Sequence, residues 1–212
     1  MTQFSVYLFD FDGTLFDTKI SLRKVYRDSF AAVGIFDITD EECAEFMHHS
    51  LLQTMQMRNI EPKDYQTFSD VCIRSLDEPE TVAANIPFPE TIEVLSKLRK
   101  QGKRLAAASG NTSKHIHLVL DHHQLDFGFE TVVGSDMFRH GKPAPDCVLT
   151  CLEKMSVDDK SSVVYVGDSL NDVGAARAAG VAAVLVDREN EYPDFDGTRI
   201  SSLEELLCVT IQ

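Results

Sequence analysis

The sequence has little positive charge, and this shortage excludes several kinds of partner. Lysine and arginine together number 20 against 34 aspartates and glutamates, which leaves a formal net charge of −14. An acidic surface repels nucleic acid and anionic lipid, so we expect neither as a partner. A small anionic substrate stays possible, because a cleft can be locally positive on an acidic protein.

Paired cysteines and long apolar runs are also lacking. The five cysteines are odd in number and include no CxxC pair, so we expect reduced structural thiols and no zinc site. No stretch approaches the roughly 18 consecutive apolar residues of a membrane-spanning helix. Residues 1–4 lack the basic start of an export signal. These absences predict a cytoplasmic protein without membrane association. The sequence does not indicate the oligomeric state.

Hydrophobic residues make up 43% of the 212 residues, which is enough for a real core. Short apolar runs predict strands at 4–9, 105–108, 131–133, 163–166 and 182–186. Amphipathic stretches predict helices at 89–101, 112–121, 145–155 and 170–179. This alternation is typical of an α/β fold, here a Rossmann-like three-layer core with a parallel sheet between helices.

The stretch between residues 17 and 86 interrupts this alternation. It shows no strand pattern and contains helix signals only, such as the capped start at Thr39 and the apolar face that follows Pro62. We expect an inserted helical cap domain over 17–86. The core domain would then consist of residues 1–16 and 87–212.

Two carboxylates stand at the end of the first predicted strand, in Asp10-Phe11-Asp12-Gly13-Thr14. In extended backbone, residues i and i+2 face the same side, so the two anions need a cation nearby. Gly13 permits a tight turn, and the Thr14 hydroxyl suits a phosphate. An ordinary Asp- and Gly-rich turn is the alternative interpretation.

A second acidic pair, Asp168 and Asp172, follows the predicted strand at 163–166 and opens a helix. Ligands bind at the carboxyl ends of strands in open α/β sheets. Oxygen donors without cysteine or histidine favour a hard cation such as Mg²⁺. Aspartates at a helix start are also common caps, so a purely structural role stays open for each.

Two loops add groups that suit phosphate. Lys142 lies in a proline-stiffened loop and offers a fixed point charge. Ser109 and Gly110 follow a strand and offer a hydroxyl and backbone N–H groups. Taken alone, Lys142 also fits a solvated loop lysine, and the segment of Ser109 and Gly110 also fits an ordinary turn.

The order of Asp10, Ser109, Lys142 and Asp168 resembles the haloacid dehalogenase superfamily of phosphohydrolases. The matching motifs are residues 9–15, Ser109, residues 141–146 and residues 166–172. The helical insert resembles the small cap of the phosphoglycolate phosphatase and β-phosphoglucomutase branch. One position departs from many relatives, since Glu90 stands where they have a glycine after a Pro-x-Pro sequence.

The resemblance implies a mechanism for these residues. Asp10 would attack phosphorus and form an aspartyl phosphate, and Asp12 would serve as general acid and then as general base. Mg²⁺ would bind the Asp10 carboxylate, the Asp12 backbone carbonyl and Asp168. Asp172 would orient the metal's waters or Lys142. The phosphate would be held by Ser109, Gly110 and Lys142, with Thr14 in support.

The residues together with this resemblance imply a Mg²⁺-dependent phosphatase that acts on a small phosphorylated metabolite. The second aspartate of the first motif favours phosphate esters, because dehalogenase members of the superfamily lack it. A sugar-phosphate mutase of the β-phosphoglucomutase kind is the first alternative, since it uses the same core. A phosphate-binding or regulatory domain without activity is the second.

Overall fold

The computed structural model describes residues 4–47 and 49–208. Residues 1–3, 48 and 209–212 lie outside this description. The predicted cap range includes residue 48. The predicted core range includes the terminal residues, and the expectation for residues 1–4 falls mostly on them. The strands are β1 (Val6–Phe9), β2 (Phe16–Asp17), β3 (Ile86–Pro87), β4 (Arg104–Ala108), β5 (Thr131–Val133), β6 (Val163–Gly167), β7 (Ala182–Val186) and β8 (Arg199–Ile200). The α-helices are α1 (Lys19–Ala32), α2 (Asp40–Phe46), α3 (Leu51–Met57), α4 (Tyr65–Leu76), α5 (Pro79–Ala83), α6 (Thr91–Lys100), α7 (Ser113–His122), α8 (Asp146–Lys154) and α9 (Leu170–Ala179).

Six of the strands form one parallel sheet in the order β5-β4-β1-β6-β7-β8. Strand β1 lies between β4 and β6, with Leu8 beside both Ala106 and Tyr165. The sheet confirms the predicted α/β fold. In the described part of the chain, no helix has the length and apolar character needed to cross a bilayer.

Alternate residues of β1 face opposite layers of helices. Tyr7 and Phe9 pack in the cluster that includes α6 and α7, whereas Val6 and Leu8 pack in the cluster that includes α8 and α9. Because successive strand residues point to opposite faces, a strand buried on both faces is apolar at every position. Burial of each such large side chain stabilises the fold by about 1.5 to 3 kcal/mol.

Helices α1 to α4 share a separate hydrophobic cluster. The Phe30 ring lies 5.2 Å from the Phe46 ring and 4.9 Å from the Phe68 ring, measured between centroids. The buried residues of this cluster all lie between 22 and 76. This supports 17–86 as a helical cap on the core, a domain division that we propose.

Side-chain caps fix where two of these helices begin. The Thr39 hydroxyl accepts from the Glu42 backbone N–H, and the Glu42 carboxylate accepts from the Thr39 N–H, as the sequence pattern indicates. Ser50 and Gln53 make the same reciprocal pair at the start of α3. The sequence predicts this region as helical, with one helix from Thr39 to Met47 and the next after Pro62, and it indicates no separate helix at α3.

The chain leaves and re-enters the core through two short strands. In β2 and β3, Phe16 pairs with Pro87 and Asp17 pairs with Ile86, and the strands are antiparallel. The two linkers of the helical segment therefore run side by side. Two residues are too few to show a strand period, so the sequence predicts neither strand.

Candidate active site

Strands β4, β1 and β6 are neighbours, so their carboxyl ends meet at one edge of the sheet. Asp10 directly follows β1, Ser109 follows β4 and Asp168 follows β6. Lys142 reaches this edge from the loop before α8, where its ammonium contacts Asp10. The structure thus brings together the four residues on which the family resemblance depends.

Lys142 links two carboxylates at this edge. Its Nζ donates to Asp10 Oδ1 at 2.7 Å and to Asp172 Oδ1 at 2.6 Å. Its side chain is only 13% exposed. Burial lowers the pKa of Lys142, but the charges of Asp10 and Asp172 outweigh burial and raise that pKa well above its usual value. The lysine is a permanent positive charge next to Asp10.

The site nevertheless contains more aspartates than positively charged side chains. Burial raises the pKa of the Asp10 carboxyl to about 7; Lys142 opposes the rise, while Asp172 and Asp12 add to it. Burial likewise raises the pKa of Asp168 well above its usual value, with repulsion from Asp172 and Asp10 as further causes. Crowded anions of this kind are stabilised by a cation.

The donor set fits a hard divalent cation. One carboxylate oxygen from each of Asp10, Asp168 and Asp172 lies within 4.8 Å of the others. Carboxylate oxygens are the ligands that Mg²⁺ takes in proteins, together with waters and phosphate oxygens. Asp172 has fewer free positions than Asp168, because its Oδ1 accepts from Lys142 and its Oδ2 accepts from the Ser169 hydroxyl and N–H.

Asp12 lies across from the loop that follows β4. Its Oδ2 accepts hydrogen bonds from the Ser109 hydroxyl at 3.3 Å and from Asn111 Nδ2 at 2.6 Å. Gly110 is exposed between these two residues. Thr14 is fully buried, and its hydroxyl has no hydrogen-bond partner among the described residues. The predicted phosphate-binding residues Ser109 and Lys142 thus contact Asp12 and Asp10, respectively.

Two residues near the site were not assigned from the sequence. The Tyr165 hydroxyl donates to the Ala108 carbonyl at 2.8 Å and lies 3.2 Å from Asp172 Oδ1. A tyrosine inside an otherwise aliphatic buried strand needs a polar partner, and that was the available signal. Asn111 gave a weaker signal, since an amide in a strand-end loop is common in turns.

Glu90, the departure from the family pattern, has a buried partner. Its Oε1 accepts from Arg188 Nη1 at 2.6 Å, and the side chains are 11% and 19% exposed. The Arg188 guanidinium lies 3.7 Å from the centroid of the Phe88 ring, and its Nη2 donates to the Thr14 carbonyl at 3.1 Å. Arg188 therefore joins the loop of Asp10 to the second linker of the helical segment.

Comparison with known proteins gives one family model, haloacid dehalogenase-like hydrolase, which matches residues 7–186. The chain is 26% identical to a phosphoglycolate phosphatase of Aquifex aeolicus, over 95% of this chain and 96% of that protein. It is 30% identical to a fructose-1-phosphate phosphatase of Escherichia coli, over 84% of this chain and 94% of that protein.

Solved structures with the same architecture come from several bacteria. A protein from Bacteroides fragilis, described as a haloacid dehalogenase-like hydrolase, is 28% identical with a TM-score of 0.87, and the match covers 96% of this chain and 99% of that one. A subfamily IA hydrolase of this superfamily from Geobacter sulfurreducens is 21% identical with a TM-score of 0.69, over 97% of this chain and 96% of that one. The second likeness bears on the fold alone.

Proposed function

The chain belongs to the haloacid dehalogenase-like hydrolases and is a phosphatase, and from this premise we propose that it hydrolyses a small phosphorylated metabolite with Mg²⁺. In this proposal Asp10 is the nucleophile and carries the phosphoryl group as an aspartyl phosphate. The observation that supports it most is the position of Asp10, whose Oδ1 accepts from Lys142 beside carboxylates that fit a cation.

In the first half-reaction, a carboxylate oxygen of Asp10 forms a bond to phosphorus and the ester P–O bond breaks. Asp12 gives its proton to the departing oxygen, which leaves as an alcohol. The Lys142 ammonium, the Ser109 hydroxyl and the Gly110 N–H hold the phosphoryl oxygens. Positioning and charge stabilisation of this kind are the main tools of phosphoryl transfer.

In the second half-reaction, water attacks the phosphorus of the aspartyl phosphate. Asp12 takes a proton from the water as the new P–O bond forms, and the bond between phosphorus and Asp10 breaks. Inorganic phosphate leaves, and Asp10 and Asp12 return to their starting protonation states. One hard displacement is thereby divided into two easier ones.

The residues that would hold Mg²⁺ are Asp10 and Asp168, through their carboxylates, and Asp12, through its backbone carbonyl. Bound there, the ion would neutralise the anions so that a carboxylate can approach a phosphate ester. Asp172 would orient Lys142, from which its Oδ1 already accepts a hydrogen bond. Thr14 would support the loop that carries both catalytic aspartates.

A phosphatase panel tests the reaction class and the substrate together. The panel contains phosphoglycolate and fructose 1-phosphate, which the names of two relatives suggest, with nucleotides and other sugar phosphates. We expect phosphate release with Mg²⁺ and none after chelation by EDTA. Equal rates in both conditions would contradict the metal requirement. No release from any compound would favour the inactive regulatory domain.

A hexose phosphate separates the phosphatase from the mutase. We expect inorganic phosphate to accumulate with the free sugar. Accumulation of an isomeric sugar phosphate without inorganic phosphate would instead support the β-phosphoglucomutase alternative. Phosphate assay and chromatography of the same samples give the two readings.

Replacement of the nucleophile tests the covalent step. We expect Asp10→Asn to lower turnover by roughly a thousandfold or more, because the amide has the same shape but does not attack phosphorus. Circular dichroism controls for folding. Acid-quenched wild-type enzyme should carry one phosphoryl group on the peptide that contains Asp10. Near-normal turnover of the variant, or a phosphoryl group on another peptide, would exclude this nucleophile.

A further inference from the structure

The loop after β4 holds one oxygen of the Asp12 carboxylate. Asn111 Nδ2 lies 2.6 Å from Asp12 Oδ2, and the Ser109 hydroxyl lies 3.3 Å from the same oxygen. The amide nitrogen of Asn111 is the donor in the first contact, and the Ser109 hydroxyl is the donor in the second. The shorter of the two contacts comes from Asn111.

The backbone of Asn111 is itself fixed on both sides. Its N–H donates to the Ser109 hydroxyl oxygen at 3.1 Å, and its carbonyl accepts from the Ser135 N–H at 2.8 Å. The next residue, Thr112, caps α7 by accepting from the His115 N–H. The backbone hydrogen bonds hold Asn111 in place at the end of β4, and its side chain is held in turn by the contact with Asp12 Oδ2.

The second oxygen of Asp12 is in a different situation. Oδ1 is buried and has no hydrogen-bond partner among the described residues. Because Oδ1 has no partner there, the two contacts to Oδ2 are the side-chain hydrogen bonds that set the orientation of the Asp12 carboxyl group among the described residues.

We propose that Asn111 is a positioning residue that orients the carboxyl group of Asp12 for proton exchange with the leaving oxygen and then with water. The inference deepens the function proposed above and rests on it. In the first half-reaction the proton of the Asp12 carboxyl group moves to the ester oxygen as the bond from Asp10 to phosphorus forms and the ester bond breaks. In the second, the Asp12 carboxylate takes a proton from the attacking water. Asn111 itself neither gains nor loses a proton.

Leaving-group dependence separates this role from phosphate binding. An alkyl alcohol needs a proton as it leaves, whereas p-nitrophenolate leaves without one. Loss of an aligned general acid therefore slows alkyl phosphates selectively. Loss of a phosphate ligand slows both kinds of ester alike, because both carry the same phosphoryl group.

The experiment compares kcat/KM of wild type and Asn111→Ala on an alkyl phosphate, glycerol 2-phosphate, and on p-nitrophenyl phosphate, both with Mg²⁺. For the alkyl ester we expect a fall of roughly 10- to 100-fold, part of the contribution that a general acid makes. For p-nitrophenyl phosphate we expect a much smaller fall. Lys142→Met is the control for loss of a phosphate contact, because Lys142 contacts Asp10 and Asp172 and has no hydrogen bond to Asp12; it should slow both esters by similar factors. Asp12→Asn sets the largest selectivity that loss of the acid can produce.

Each result bears on the inference. A selective fall for the alkyl ester in Asn111→Ala, with an unchanged melting temperature, supports it. An equal fall on both esters, or no fall on either, overturns it while leaving the phosphatase intact. A wild-type protein that hydrolyses neither ester overturns the proposed function and this inference with it.

Discussion

Gly13 shows how one missing side chain shapes the site. Its φ is +73°, a left-handed conformation that residues with a Cβ adopt at a cost. A Cβ at this position would also clash with Asp168 Oδ2. Glycine is thus needed twice, for the turn after Asp12 and for the approach of Asp168 to Asp10.

We expect Gly13→Ala to lower kcat/KM on the order of 100-fold, since displacement of a catalytic group by about 1 Å has effects of that size. Gly102→Ala is the matched control, because Gly102 has a φ of +75° and no atom within 4 Å of the place where a Cβ would lie. Both variants should lose about 1 kcal/mol of stability from the left-handed backbone. Urea unfolding and steady-state kinetics measure the two effects. Similar activities in the two variants would contradict a role for the close approach to Asp168.

The sequence predicts the charged groups of the site better than their contacts. Asp10 and Asp168 could be placed because each ends an apolar run, and parallel strands bring such ends together. The contact between Asn111 and Asp12 depends on the conformation of a loop, and no residue period reports that. Tyr165 lies in a correctly predicted strand, yet its contact with Asp172 depends on how α9 packs against β6.

At the scale of elements, the segment after β7 joins parts that are far apart in sequence. Arg188 contacts Glu90 and Phe88 near the second linker and the Thr14 carbonyl in the loop of Asp10. The following residue, Glu189, pairs with Lys19 at the start of α1. Both linkers of the helical segment are therefore tied to the same loop of the core.

We expect Glu90 and Arg188 to be coupled by about 1 to 2 kcal/mol in a double-mutant cycle of Glu90→Gln and Arg188→Gln, because the pair is largely buried. Glu93→Gln, in the first turn of α6, is the control and should have a much smaller effect, because Glu93 and its partner Lys97 are both exposed. Denaturant unfolding at pH 7 measures these differences. Additive effects of the two substitutions would show that the pair is not coupled.

The pair of Glu90 and Arg188 also makes the stability of the protein depend on pH, in a direction that can be stated. Burial alone would raise the pKa of Glu90, but its own backbone N–H and Arg188 outweigh burial and lower the pKa below the ordinary 4.5. The contribution of ionised Glu90 is therefore complete above pH 4.5 and is lost as the pH falls through the lower, folded-state value. The stability difference between wild type and Glu90→Gln should shrink in acid. A constant difference down to about pH 3 would contradict it.

The larger elements were predictable and the smaller ones were not. Strands β5 and β7 and helix α9 have the predicted bounds, because each is an apolar or amphipathic run between clear turn residues. Strands β2, β3 and β8 have two residues each, which is too short for a period to register. The linker geometry therefore comes from the structure alone, although the position of the insert was visible in the sequence.

At the scale of the whole molecule, charge acts in two opposed ways. The net charge of −14 repels an anionic substrate at a distance and attracts divalent cations. Close to Asp10 the balance changes, since Lys142 supplies a local positive charge. A cation bound among the carboxylates would add further positive charge near Asp10. Binding of the metal would therefore stabilise the fold as well as support catalysis.

We therefore expect Mg²⁺ to raise the melting temperature of the substrate-free protein by a few degrees beyond NaCl of equal ionic strength. A ligand that binds only the folded state stabilises it by about 2.7 kcal/mol at 100 times its Kd, whereas general screening acts equally through both salts. Asp168→Asn should abolish the difference between the salts, because it removes a donor of the cluster. Asp194→Asn, an exposed acid, makes the same change in net charge and should keep the difference. If both variants kept it, the stabilising Mg²⁺ would bind elsewhere on the acidic surface, and Asp168 would not be its ligand.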